Sequence, residues 1–134
     1  MLYIPSALYK DLLDHGTRAS PKEACGILAG RQGRTTAFYP AVNVEEGHEK
    51  YSISPQELAR ILKDLEGKGL DLIGIFHSHP ATPAYPSVTD VELACYPDSA
   101  YVILSLGDEP SIKAFSIREG KVTDIPITIE PSMG

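Results

Sequence analysis

Apolar positions along the chain follow two periods, one helical and one extended. Over residues 4–18, Leu8, Leu12 and Leu13 recur at helical spacing, and Pro5 or Ser6 can start the turn. A clearer helix is predicted over residues 54–68. There Leu58, Ile61, Leu62 and Leu65 make one face, Ser54 can cap, Pro55 suits the first helical position, and Glu57 is placed to complete a capping box. Gly67 and Gly69 end it. The remaining apolar runs are short and bounded by glycine or proline, which marks strands. Residues 24–29 read as a buried strand, and residues 34–42 as its hairpin partner across Arg31-Gln32-Gly33. Residues 70–76 read as a second buried strand, 78–86 as a proline-rich loop and 87–95 as a short helix. Residues 101–106, 112–117 and 121–129 read as closing strands. Strands and helices mixed in this order predict an α/β sandwich on a mixed sheet.

Composition narrows the picture. The 134 residues suit one domain spanning 1–134, with no repeat or linker to divide it. A formal net charge of −6 argues against a nucleic-acid partner, which would call for a basic patch. No apolar run approaches the ~20 residues of a membrane span. The start, Met-Leu-Tyr-Ile-Pro-Ser, lacks the basic and apolar regions of a secretory signal, so a cytoplasmic protein is expected. Cys25 and Cys95 are expected to be free, buried thiols.

The candidate chemistry lies in Phe76-His77-Ser78-His79-Pro80 and Pro86-Ser87-Val88-Thr89-Asp90. His77 and His79 are two apart at the end of an apolar strand, so both imidazoles point to one side. Asp90 can add an anionic ligand. Two histidines and one carboxylate leave a fourth tetrahedral position open, as in catalytic rather than structural zinc sites. Glu23, a carboxylate at the start of a buried strand, is the candidate general base. Ser87-x-x-Asp90 also fits an ordinary helix start, and the two readings are compatible. A site of Cys25, Cys95, His77 and His79 is disfavoured by the lack of C-x2–4-C spacing. A nucleoside-deaminase site is disfavoured because His79 stands where H-x-E needs glutamate, and no P-C-x-x-C occurs. Asp71 and His48 read as solvated, and Tyr51 and Tyr85 as loop and edge packing.

Together, Glu23, His77-x-His79, Ser87 and Asp90 resemble the complete E…H-x-H-x7-S-x2-D pattern of the JAMM (MPN-plus) metalloproteases. The flanking blocks 21–30, 41–44, 51–55 and 73–80 resemble that family too, so the likeness covers most of the chain. It implies an MPN fold, an α/β sandwich similar to cytidine deaminases with a mixed, curved sheet and flanking helices. It implies one zinc ion per chain on His77, His79 and Asp90, with Glu23 activating water and Ser87 stabilising the oxyanion. The chain lacks the insertions and second structural zinc site of eukaryotic deubiquitinating members and resembles the short prokaryotic type. That resemblance implies hydrolysis after the C-terminal Gly-Gly of a ubiquitin-like or sulfur-carrier protein. The tail is expected to add along a sheet edge. Small-molecule amide hydrolysis and a non-catalytic binding module are the alternatives.

Overall fold

The computed structural model describes residues 1–131. In chain order the elements are β1 (Leu2–Pro5), α1 (Ser6–Ala19), β2 (Cys25–Arg31), β3 (Arg34–Ala41), α2 (Pro55–Gly67) and β4 (Asp71–His79). They continue with α3 (Val88–Leu93), β5 (Ala100–Ser105), β6 (Ser111–Arg118), β7 (Lys121–Ile125) and β8 (Ile127–Glu130). The strands form one eight-stranded sheet in the order β7-β6-β5-β4-β2-β3-β1-β8. It is mixed: β4 runs parallel to β5, β1 runs parallel to both β3 and β8, and the other pairs are antiparallel.

The β2–β3 hairpin forms where its turn residues predict it. Gln32 and Gly33 both have positive φ, 51° and 79°, as a two-residue hairpin turn needs. Three sequence expectations are corrected. Residues 4 and 5 belong to a strand, because Leu2 and Ile4 alternate inward and pair with β8, so the helix begins only at Ser6. Residues 121–129 do not form one strand. Pro126 interrupts them, and β7 and β8 lie at opposite ends of the sheet order. Laid flat, eight strands would span roughly 34 Å, whereas the one residue between β7 and β8 bridges only about 7 Å. The sheet therefore rolls until its two edges approach. Finally, Ser54 caps α2 by accepting from the Glu57 N–H at 3.1 Å, but Glu57 does not return the bond. Its carboxylate accepts instead from the Val42 N–H at 2.8 Å and ties α2 to the end of β3.

The two faces of the sheet bury different clusters. On one, α1 packs Leu8, Leu12 and Leu13 onto Ile4, Leu28, Phe76, Val102 and Leu104. Every strand contributes to this cluster, as expected of the concave side of a rolled sheet. On the other, α2 packs Leu58, Ile61, Leu62 and Leu65 onto Ile27, Ala29, Ile75 and Tyr101. Alternation along β4 sends Phe76 to the first face and Ile75 and His77 to the second.

Candidate active site

β4 carries both histidines through its last residues, beside β2 and β5, where Cys25, His77 and Ile103 share one register line. A loop then leads to α3, whose capping residue is Ser87. The Ser87 Oγ accepts from the Asp90 N–H at 3.0 Å, and Asp90 Oδ2 accepts from the Ser87 N–H at 2.9 Å. The capping reading of Ser87-x-x-Asp90 therefore holds. The same carboxylate oxygen also lies 3.1 Å from His77 Nε2 and 3.1 Å from His79 Nε2. The two imidazole nitrogens are themselves 3.1 Å apart. Three donor atoms thus mark an equilateral triangle, and all three side chains are buried. A tetrahedral zinc ion with bonds of 2.0–2.1 Å holds its ligands about 3.3–3.4 Å apart, so the triangle matches one face of such a site.

Glu23 precedes β2 and completes the group: its carboxylate and the three ligand atoms all lie within 4.8 Å of one another. It is buried, and its Oε1 has no hydrogen-bond partner among the described residues. Burial pushes the Glu23 carboxyl up to about 7, with Asp90 and Glu49 adding to the rise and His79 opposing it. Burial likewise lowers His77. For Asp90 and His79 burial acts against the net shift. The two imidazoles hold Asp90 well below the usual carboxylate range, and Asp90 with the Pro83 carbonyl raises His79. His79 Nδ1 donates to that carbonyl at 2.8 Å, so whenever the ring is neutral its lone pair lies on Nε2, facing the Asp90 oxygen. A neutral Nε2 facing a carboxylate oxygen is repulsive without a cation between them. The donor set therefore fits a divalent metal, with Glu23 beside it as a base.

Supporting groups come from both faces. Ser78, buried between the histidines on the α1 side, accepts from the Ala24 N–H at 2.8 Å and so fixes the chain next to Glu23. Ser105 donates to the Thr82 carbonyl at 2.8 Å and holds the loop that supplies Pro83. A cleft of about 620 Å³ opens onto the site, lined by Glu23, His48, Glu49, His79, Ser87 and Thr89 among others. A second, mainly apolar cavity of about 370 Å³ also reaches Asp90, past Tyr51, Leu93 and Tyr101. The site thus sits over interior strands of the sheet, and both cavities open onto it.

The remaining sequence candidates separate clearly. His48 and Asp71 are exposed, as expected, although His48 lines the cleft. Tyr85 packs edge-on against Phe115 at 5.3 Å. Both cysteines are free, and Cys25 is buried, its thiol pushed up to about 12 by burial. Cys95 is exposed, contrary to expectation, since it follows the last turn of α3. Neither thiol belongs to the ligand group. Ser78, and Asn43, whose Nδ2 donates to the Glu23 carbonyl at 2.9 Å, were missed by sequence reasoning, because serine and asparagine carry no charge pattern or spacing that marks a supporting role.

Fold and ligand set together define a metal-hydrolase-like centre on an α/β sheet, and comparison with known proteins gives the family. The family described as prokaryotic homologs of the JAB domain matches residues 5–118, and the chain belongs to it. It is 35% identical over 133 residues to the CysO-cysteine peptidase of Mycobacterium tuberculosis, covering 96% of this chain and 91% of that one. It is 43% identical over 88 residues to the desampylase of Haloferax volcanii, covering 63% of each. Among solved structures, a protein from Desulfitobacterium hafniense matches with a TM-score of 0.91 at 34% identity, over 99% of this chain and 95% of that one. A JAB1/MPN-domain protein from Archaeoglobus fulgidus matches with a TM-score of 0.65 at 21% identity, over 97% of this chain and all 100% of that one, a likeness of fold. The fold is thus that of JAB1/MPN domains. No helix of the described residues is long and apolar enough to cross a membrane.

Proposed function

We propose that this chain is a single-domain zinc metallopeptidase of the JAMM type, hydrolysing the amide or isopeptide bond after the C-terminal Gly-Gly of a ubiquitin-like or sulfur-carrier protein in the cytoplasm. The observation that carries the reading is the triangle of His77 Nε2, His79 Nε2 and Asp90 Oδ2, each 3.1 Å from the others, with the unpartnered Glu23 Oε1 beside it. Relatives named as a CysO-cysteine peptidase, desampylases and a probable TtuB-protein conjugate cleaving protease support the choice of substrate class.

His77, His79 and Asp90 would hold the ion. Zinc bound there supplies Lewis acidity, polarising the scissile carbonyl and making water easier to deprotonate. The chain's own residues do the rest. Glu23 takes a proton from the attacking water and returns it to the leaving amine, and a carboxyl shifted toward neutrality suits both transfers. The Ser87 Oγ accepts from the Asp90 N–H, which leaves its hydroxyl hydrogen to donate into the cleft toward the developing oxyanion. A Gly-Gly tail has no side chains to clear where the main chain must approach closely.

The test is to incubate the purified chain with a small carrier protein ending in Gly-Gly plus a few added residues. The expected result is release of the added residues, abolished by a chelator and restored by zinc. Hydrolysis of short amides with no response to the carrier would instead establish a small-molecule amidohydrolase. No chelator-sensitive hydrolysis of either would mean a binding module.

A further inference from the structure

The two histidines of the ligand triangle are held by different means. A metal-binding imidazole ordinarily donates its second N–H to a fixed acceptor, which sets its tautomer and rotation. His79 follows this rule through the Pro83 carbonyl. His77 does not: its Nδ1 is buried and has no hydrogen-bond partner among the described residues. The His77 ring lies instead against Tyr51, with centroids 4.5 Å apart and planes within 20° of parallel. A flat face at that distance resists rotation of the imidazole out of the plane that aims Nε2 at the triangle.

Tyr51 sits in an irregular segment between β3 and α2, which has no ladder or helix to hold it. One backbone bond, from the Val44 N–H to the Ser52 carbonyl at 3.0 Å, ties it across, and Asn43 supplies the rest of the hold. Its Oδ1 accepts from the N–H groups of Glu45 and Ser52 at 3.0 and 3.1 Å, drawing the two limbs of the segment together. Its Nδ2 donates to the carbonyls of Lys50 at 3.1 Å and Glu23 at 2.9 Å. One side-chain amide, with all its hydrogen-bonding capacity in use, therefore joins the segment bearing Tyr51 to the main chain of the candidate base.

We infer that Tyr51 is a positioning residue for His77, and that Asn43 anchors the Tyr51 segment to the backbone at Glu23, keeping ligands and base in register. The inference rests on the metal site proposed above, but its own readout is zinc affinity rather than turnover. Affinity is measured on the full chain by competition with a chromogenic chelator. Tyr51→Phe keeps the flat face and should bind zinc within about threefold of wild type, whereas Tyr51→Leu keeps an apolar side chain without the ring and should bind about 10–100-fold more weakly. A merely apolar contact would let leucine serve. Asn43→Asp keeps both acceptor contacts and loses both donors. It should weaken zinc binding about tenfold and lower kcat on the Gly-Gly carrier with little change in KM. Wild-type affinity in Tyr51→Leu overturns the positioning role, and if that variant does not fold, wild-type affinity and kcat in Asn43→Asp overturn the inference. A wild-type chain that takes up no zinc overturns both this and the functional reading. Zinc uptake without amide hydrolysis overturns the functional reading alone.

Discussion

The two faces of the sheet are made from the same strands and do opposite work. On the α1 face, β4 contributes Phe76, fully buried in an apolar cluster drawn from every strand. On the other face, the next residue, His77, is equally buried but points a polar ring at a carboxylate and a second imidazole. Both faces gain free energy from removing apolar surface from water, one under α1 and the other under α2. The second also keeps polar and ionisable groups out of water and leaves two polar atoms orphaned, Glu23 Oε1 and His77 Nδ1. The lesson is that this fold sets rigidity and reactivity back to back. Apolar packing under α1 and under α2 holds the strand backbone, and the buried polar groups of the site are carried on it.

Neighbouring substitutions test how separable the two faces are. The largest effect is expected for Glu23→Gln, which should lower turnover by about two to four orders of magnitude while zinc content stays near one per chain. Substantial activity in that variant would remove Glu23 as the base. His77→Ala should lose stoichiometric zinc, measured by metal analysis after gel filtration, yet leave the apoprotein folded. Its neighbour Phe76→Ala should do the reverse, lowering folding stability by about 3–5 kcal/mol in denaturant titration with zinc retained by the fraction that folds. If either variant shows the other's phenotype, the division between the faces fails.

A pH series sharpens the comparison further. Burial raises Glu23 from 4.5 to about 7 in the folded, metal-free chain. A raised carboxyl contributes stability that is full below its unfolded value and is lost as pH rises through the folded one. The chelator-treated protein should therefore lose on the order of 3 kcal/mol between pH 4.5 and 7 from this group. Glu23→Gln should flatten that loss, and a wild-type slope in the variant would show that Glu23 is not its source. The smallest effect is expected for Ser78→Ala, which crosses from one face to the other. It leaves the buried Ala24 N–H without its acceptor, for about 1–3 kcal/mol, and should reduce turnover by loosening Glu23 without releasing zinc.

The elements with strong local signals were legible in advance. α2 appears with its Ser54 cap and apolar face, and the β2–β3 hairpin appears around Gln32 and Gly33. The metal-ligand candidates were legible for a related reason: His-x-His at a strand end and Ser-x-x-Asp at a helix start are local patterns with fixed side-chain directions. Elements whose identity depends on distant partners were not legible. β1 is too short for its alternation to outweigh the helical pattern that follows, and it exists because β8 pairs with it. The break at Pro126 became visible only once β7 and β8 were found at opposite ends of the sheet. Glu57 had the right spacing for a capping box, yet the Val42 N–H captured its carboxylate.

The sequence alone determined which side chains are chemically able to hold a cation and move a proton, because residue type and short-range spacing set both. Tertiary structure decided how far apart those atoms stand, what surrounds them and which neutral residues brace them. Glu23 lies more than fifty positions from His77 in the chain, and only the pairing of β2 with β4 brings the two together. Ser78 gains its role from that same pairing, and Asn43 reaches Glu23 through the pairing of β2 with β3 that sets Ala41 opposite Cys25; a hydrogen bond between residues distant in sequence is fixed by the fold and leaves no local trace.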